Sequence, residues 1–186
     1  MKRLLAATFV SLTAFGQTTS DPSVEGPKII AEAFGRLSTA LAEAISKDGP
    51  SGALSVCSEK APQIAKEVSK AHGVTLRRAT HKPRNPKNAA DDVEKATLKA
   101  FMAALAKGEA PKPQVITNAD GSRAFLAPIV LGNPLCLQCH GTPGKDIAPE
   151  TLAAIQKLYP DDKATGFKIG DLRGLWHITF PSPKQP

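Results

Sequence analysis

The chain has 186 residues, of which 41% are hydrophobic and 22% charged, with a formal net charge of +7. That is enough chain for one domain with its own core, and a composition too balanced for a collagen-like, fully disordered or multi-spanning membrane protein. Aromatic residues at 5%, with one Trp and one Tyr, do not supply the stacking rings that hold single-stranded nucleic acid, so no nucleic-acid partner is expected.

The first residues, Met1-Lys2-Arg3, precede an apolar run from Leu4 to Phe15 and then Gly16-Gln17. A basic start, an apolar stretch of about a dozen residues and small residues at Ala14 and Gly16 are the parts of a secretory signal peptide. Cleavage is expected after Gly16, giving a leader over 1–16 and a single domain over 17–186. The polar stretch Gln17 to Asp21 ends the run short of the ~20 apolar residues a membrane span requires. No later segment approaches that length, so an exported, periplasmic location without stable membrane insertion after cleavage is expected. Loss of Lys2 and Arg3 leaves the mature chain mildly basic.

From Val24 to Ser46, Ile29, Ile30, Ala33, Phe34, Leu37, Leu41 and Ile45 recur at three- and four-residue steps, the period of a helix with one buried face. Lys47 to Gly52 break it. Leu54, Cys57, Ala61, Ile64 and Val68 mark a second helical stripe that ends at His72-Gly73, and Pro62 requires either a kink or two short helices. Val74 to Thr80 reads as a strand. Arg77, Arg78, His81, Lys82, Arg84 and Lys87 form a basic stretch; composition favours a solvated face over a site for anionic partners or for the propionates of a cofactor. Asp91-Asp92 open a helix that runs through Leu98, Phe101 and Met102 to Lys107-Gly108. Gln114 to Thr117 and Arg123 to Leu131 read as a hairpin. A helix over Pro149 to Leu158, a strand over Gly174 to Phe180 and a frayed tail from Pro181 complete an α+β domain, with helices placed on one side of a small antiparallel sheet.

Cys136-Leu137-Gln138-Cys139-His140 is C-x-x-C-H, the attachment signature of c-type haem. Two thiols at this spacing add across the two vinyl groups of one porphyrin, and the adjacent imidazole is placed to bind the iron. Chance would produce the motif in about one such sequence per thousand at this composition. A zinc site would need two such pairs. A thioredoxin-like pair would open a helix after a strand, whereas Gly141-Thr142-Pro143-Gly144 is not helical. A disulfide between Cys136 and Cys139 would close a small, strained ring.

The candidates for a sixth iron ligand are Met102, His72, His81, His177 and Cys57. Met102 lies on an apolar helical stripe and reads as core packing, and His72 at a helix end reads as a surface cap. His81 belongs to the basic loop, and His177 faces outward between Trp176 and Ile178. Cys57 sits on the second helical stripe, where a free thiol is ordinarily a small buried hydrophobe. In an exported protein it would need protection from oxidation, which coordination to iron would supply.

A lone cysteine on an early helix, the loop Arg84-Asn85-Pro86-x-Asn88, one C-x-x-C-H-Gly and the closing run Ala164 to Gly174 together resemble the small single-haem c-type cytochrome domains of unassigned function first met in cyanobacteria. The likeness spans about Ile29 to Phe180, with Ala90 as a departure where proline is expected. The resemblance implies a PAS-like fold, one covalent haem c per chain, His140 as proximal ligand and Cys57 as distal ligand. A cysteine thiolate on the iron would favour the ferric state and give a low reduction potential. The expected function is that of an exported monohaem cytochrome, not itself a catalyst, that carries single electrons to a redox partner protein or reports redox state. The alternative is a haem-based redox or gas sensor acting on a separate partner. A peroxidase-like enzyme ranks last, because the second C-x-x-C-H of the dihaem peroxidases is absent.

Overall fold

A computed structural model describes residues 21–182. The leader expected over 1–16, and the end of the tail beyond residue 182, lie outside the described residues.

Helix α1 (Pro22–Gly52) is opened by Asp21, whose side chain accepts a hydrogen bond from the Ser23 amide at 2.9 Å. Its buried stripe holds Gly26, Ile29 and Ala33. A Cβ at Gly26 would lie 2.4 Å from the Phe125 ring, so the helix reaches the sheet only because that position carries no side chain. The helix is interrupted at Gly49 (φ 69°), inside the segment where the sequence reading ends it. A π-helical turn over Val56–Lys60 follows, and then α2 (Ala61–His72), which holds Pro62 in its first turn. The π-helical turn just before it, closed by the Ala61 amide on Val56 O, is where the chain absorbs the N–H that Pro62 lacks. Of the two readings of Pro62, the local distortion is the one observed, since the backbone remains helical through Lys60 and Ala61.

The remaining elements are β1 (Thr75–Ala79), α3 (Asp92–Ala106), β2 (Gln114–Thr117), β3 (Arg123–Val130), the single turn α4 (Leu137–His140), α5 (Pro149–Leu158) and β4 (Leu172–Phe180). The four strands form one antiparallel sheet in the order β1-β4-β3-β2. The expected α+β fold, a small antiparallel sheet flanked by helices, is therefore the one observed.

The helices do not lie on one side, as the sequence reading has it. Trp176, Ile178 and Phe180 pack with Leu76 and Phe125 against Ile29 and Ala33 of α1 and Val68 of α2. Leu175 packs on the other face with Ala79 and Leu126, against Leu98 and Phe101 of α3. Strand β4 is thus apolar toward both faces, and each face needs its own helical cover. Met102 also departs from expectation. It is 39% exposed, because the buried stripe of α3 runs through Glu94, Thr97, Leu98 and Phe101, and the next residue turns away by about 100°. Among the described residues no helix is long and apolar enough to cross a membrane.

Candidate functional site

The Cys136-x-x-Cys139-His140 segment begins on a 3-10 turn (Pro134–Cys136) and continues through α4. Asn133 opens the turn by accepting from the Leu135 amide at 2.9 Å. Gly141 follows at once, where a Cβ would lie 2.5 Å from Asp146 Cβ; the close approach lets the chain fold back directly behind the histidine.

His140 Nδ1 lies 2.8 Å from the carbonyl oxygen of Ala164. A carbonyl can only accept, so Nδ1 carries the proton and Nε2 keeps its lone pair. Burial, followed by repulsion from Arg173 and Arg84, holds the imidazole pKa well below its ordinary value, so the ring is neutral. The Phe167 ring stands edge-on to it at 6.3 Å, while the Phe167 amide donates to His140 O at 2.9 Å and the Gly166 amide to Gly141 O at 2.7 Å. The run Ala164 to Gly174 thus builds the wall behind His140. This is the arrangement that metal-binding histidines use to fix tautomer and orientation.

The Arg84–Asn88 loop converges on the same place. Arg84 is 6% exposed and donates through Nη2 to Cys139 O at 2.6 Å, to Ala164 O at 3.3 Å and to Asp162 at 3.1 Å, with Nε on the second Asp162 oxygen at 3.2 Å. The solvated face read for the basic stretch therefore fails at Arg84. Asp162 satisfies part of the guanidinium, and the apolar cover of Ala164 excludes water. The departure at Ala90 has a local consequence: its amide donates to Thr80 O at 3.1 Å, a bond that proline could not make.

Cys57, Cys136, Cys139 and His140 line one cavity, together with apolar side chains from α1 (Leu37, Leu41 and Ile45) and from the sheet side (Ile129 and Leu131). Its volume of about 210 Å³ far exceeds the ~10–15 Å³ that admits a single water, so it is no packing defect. The three thiols are free rather than disulfide-bonded. Burial pushes the Cys139 thiol up, against the opposing effect of Arg84. Cys57 sits within the π-helical turn, and a second cavity of about 310 Å³ between α1, α2 and the Asn85–Asn88 loop shares Cys57 in its lining.

The other candidate ligands lie elsewhere and do not line the cavity. His72 pairs with Glu32 at 2.7 Å, His81 packs edge-on to Phe167, and Met102 is on the outer side of α3. His177 does not face outward; it shares the α3 face of β4 and bonds the buried Glu94 at 2.7 Å. The sequence reading missed Arg173 and Tyr159, both of which line the cavity. A signal for Arg173 was present, namely an arginine between Leu172 and Leu175 at the start of a largely apolar strand. Burial, followed by Arg84 and Arg78, pushes the Arg173 guanidinium down to about 10. Two guanidinium nitrogens, Arg84 Nη1 and Arg173 Nε, are buried without a hydrogen-bond partner.

This donor set suits a metal-bearing macrocycle with an anionic edge: paired thiols for attachment, a neutral imidazole with a free Nε2, a further thiol, and unmet positive charge.

Fold and cavity together define the class, an α+β domain in which a thiol pair, an oriented imidazole and a sequence-remote thiol share one chamber. The chain belongs to the Tll0287-like family, whose model matches residues 3–181. It is similar to the crystal structure of the cyanobacterial heme-protein Tll0287, with a TM-score of 0.65 and 25% sequence identity over 90% of this chain and 100% of that one. Comparison with curated proteins finds no match.

Proposed function

We propose that the chain is an exported monohaem c-type cytochrome, with one haem c joined by thioether bonds to Cys136 and Cys139 and held by His140 and Cys57 as axial ligands. The observation that carries this reading is the meeting of these four residues on one cavity, with the His140 tautomer fixed by Ala164 O. The likeness to a heme-protein supports the cofactor class. When bound, haem supplies a one-electron iron couple. The chain's own residues do the rest. Ala164 and Phe167 orient the imidazole, the apolar side chains of α1 exclude water, and the Cys57 thiolate would stabilise the ferric state and lower the reduction potential. With an imidazole and a thiol both placed to hold it, the group would serve to pass single electrons to a redox partner in the periplasm, and the chain is not itself a catalyst.

A second reading is a redox or gas sensor acting on a separate partner. Two observations favour it: Cys57 lies on a π-helical turn, a feature frequent at functional sites, and it lines two separate cavities.

The test uses protein from an export-competent, haem-maturing host. Haem should survive acid-acetone extraction in the wild type, and Cys136→Ser/Cys139→Ser should lose all of it. Oxidised Cys57→Ser should lose the low-spin thiolate spectrum; an unchanged spectrum rules out Cys57 as ligand. Carbon monoxide binding to the ferrous wild type selects the sensor over the plain carrier.

A further inference from the structure

The cavity carries an imbalance of charge. Arg78, Arg84 and Arg173 all line it. The carboxylate bonded to this group is Asp162, which takes two hydrogen bonds from Arg84. Arg84 is otherwise committed to the backbone, through Cys139 O and Ala164 O. Arg173 spends Nη1 on Thr80 Oγ1 at 2.9 Å and Lys82 O at 3.2 Å, and its guanidinium lies over the Phe167 ring at 5.4 Å. After these bonds, Arg84 Nη1 and Arg173 Nε are still buried and unmet.

Burying a charged donor without a partner is costly, and clustering like charges in one low-dielectric space adds to the cost. Solvent cannot relieve Arg84, which is 6% exposed. The arrangement becomes favourable when carboxylate groups enter, because charge-assisted bonds to guanidinium are the strong class of hydrogen bond.

We propose that Arg84 and Arg173 form the binding site for the propionate carboxylates of the haem, each through the nitrogen it leaves unpaired. Arg84 thereby does two things with one side chain. It grips the anionic edge of the cofactor, and it fixes the carbonyls of Cys139 and Ala164 that position the attachment cysteine and the proximal imidazole. The basic loop and the closing run each contribute one arginine, so the site forms only when both are folded against the sheet.

This rests on the haem reading above, and the experiment separates the two. Holoprotein carrying Arg84→Gln, Arg173→Gln, Arg84→Lys or the control Lys82→Gln is compared with wild type by resonance Raman of the propionate-bending modes and by spectroelectrochemical titration. Lys82 bonds Thr165 O and does not line the cavity. Both Gln variants are expected to shift the propionate modes to lower frequency. They should also move the midpoint potential to more negative values, since each removes a positive charge that favours the electron-bearing iron. Arg84→Lys should keep more of the potential while still shifting the modes, and Lys82→Gln should leave the modes unchanged. Propionate modes unaltered in Arg173→Gln and in either Arg84 variant would overturn the assignment while leaving the covalent haem intact. Absence of covalent haem from the wild type would instead overturn the proposed function. If Arg84→Gln fails to mature, Arg84→Lys and Arg173→Gln carry the same test.

Discussion

Two buried charged clusters lie at different places on the sheet, and they are finished differently. On the α3 face, Glu94 is fully buried, yet each of its oxygens is used. Arg77 Nη1 donates to both at 2.8 and 2.9 Å, His177 bonds Oε1 at 2.7 Å, and the Asp91 amide donates to Oε2 at 2.9 Å. At the cavity the charges are mostly positive, and Arg84 Nη1 and Arg173 Nε have no partner. Asp91, Glu94 and His177 are near enough to one another to suggest a cation site. The Arg77 guanidinium already occupies and neutralises Glu94, however, so that cluster is a closed structural network. A closed set of hydrogen bonds belongs to charge that holds the fold together, whereas an unmet buried donor calls for a partner beyond the chain's own groups.

The largest effect that would sharpen this contrast comes from Glu94→Ala. It takes the buried carboxylate away from Arg77, which keeps only its Nη2 bonds to Lys87 O and Ala89 O, and from His177, and it removes the side-chain half of the cap that receives the Asp91 amide, so a loss of about 3 kcal/mol is expected in denaturant titrations, as for breaking a buried pair. The haem spectrum should stay the same. A large spectral change would break the separation of the two clusters.

Acid gives a smaller effect. Burial alone would raise the Glu94 pKa, but the His177 bond, the Asp91 amide and Arg77 together hold it below the ordinary 4.5. A carboxyl depressed on folding stabilises the protein above its unfolded pKa, and that contribution is lost as pH falls through the lower folded value. Wild type should therefore lose stability below about pH 4.5 more steeply than Glu94→Gln, as read from melting temperature against pH. Equal slopes would mean that Glu94 is not the group that titrates. The smallest effect belongs to Met102→Gln on the outer side of α3, where a change within about 0.5 kcal/mol is expected in the same denaturant assay. A larger loss would put Met102 back in the core.

Much of this architecture was legible from residue order. The period of α1, the hairpin and the acidic start of α3 arise from local patterns, and the structure realises them within a few residues. Two-sided burial was not legible, because alternation along β4 shows that both faces are apolar only when the partners of each face are known. Arg84 misled for a related reason: in sequence it is one basic residue among several, and its burial depends on Asp162 and Ala164, 78 and 80 positions away.

Residue order alone showed that Cys136, Cys139 and His140 carry the spacing of a haem-attachment signature, because spacing along the chain dictates what a thiol pair and a neighbouring imidazole can reach together. It also offered Cys57 as one of five candidate ligands, and the resemblance singled it out. Only the tertiary structure decided which carbonyl holds His140, since a backbone oxygen has no signature in sequence. It alone decided which arginines are left unmet, because the state of a buried charge is set by the distant segments that cover it.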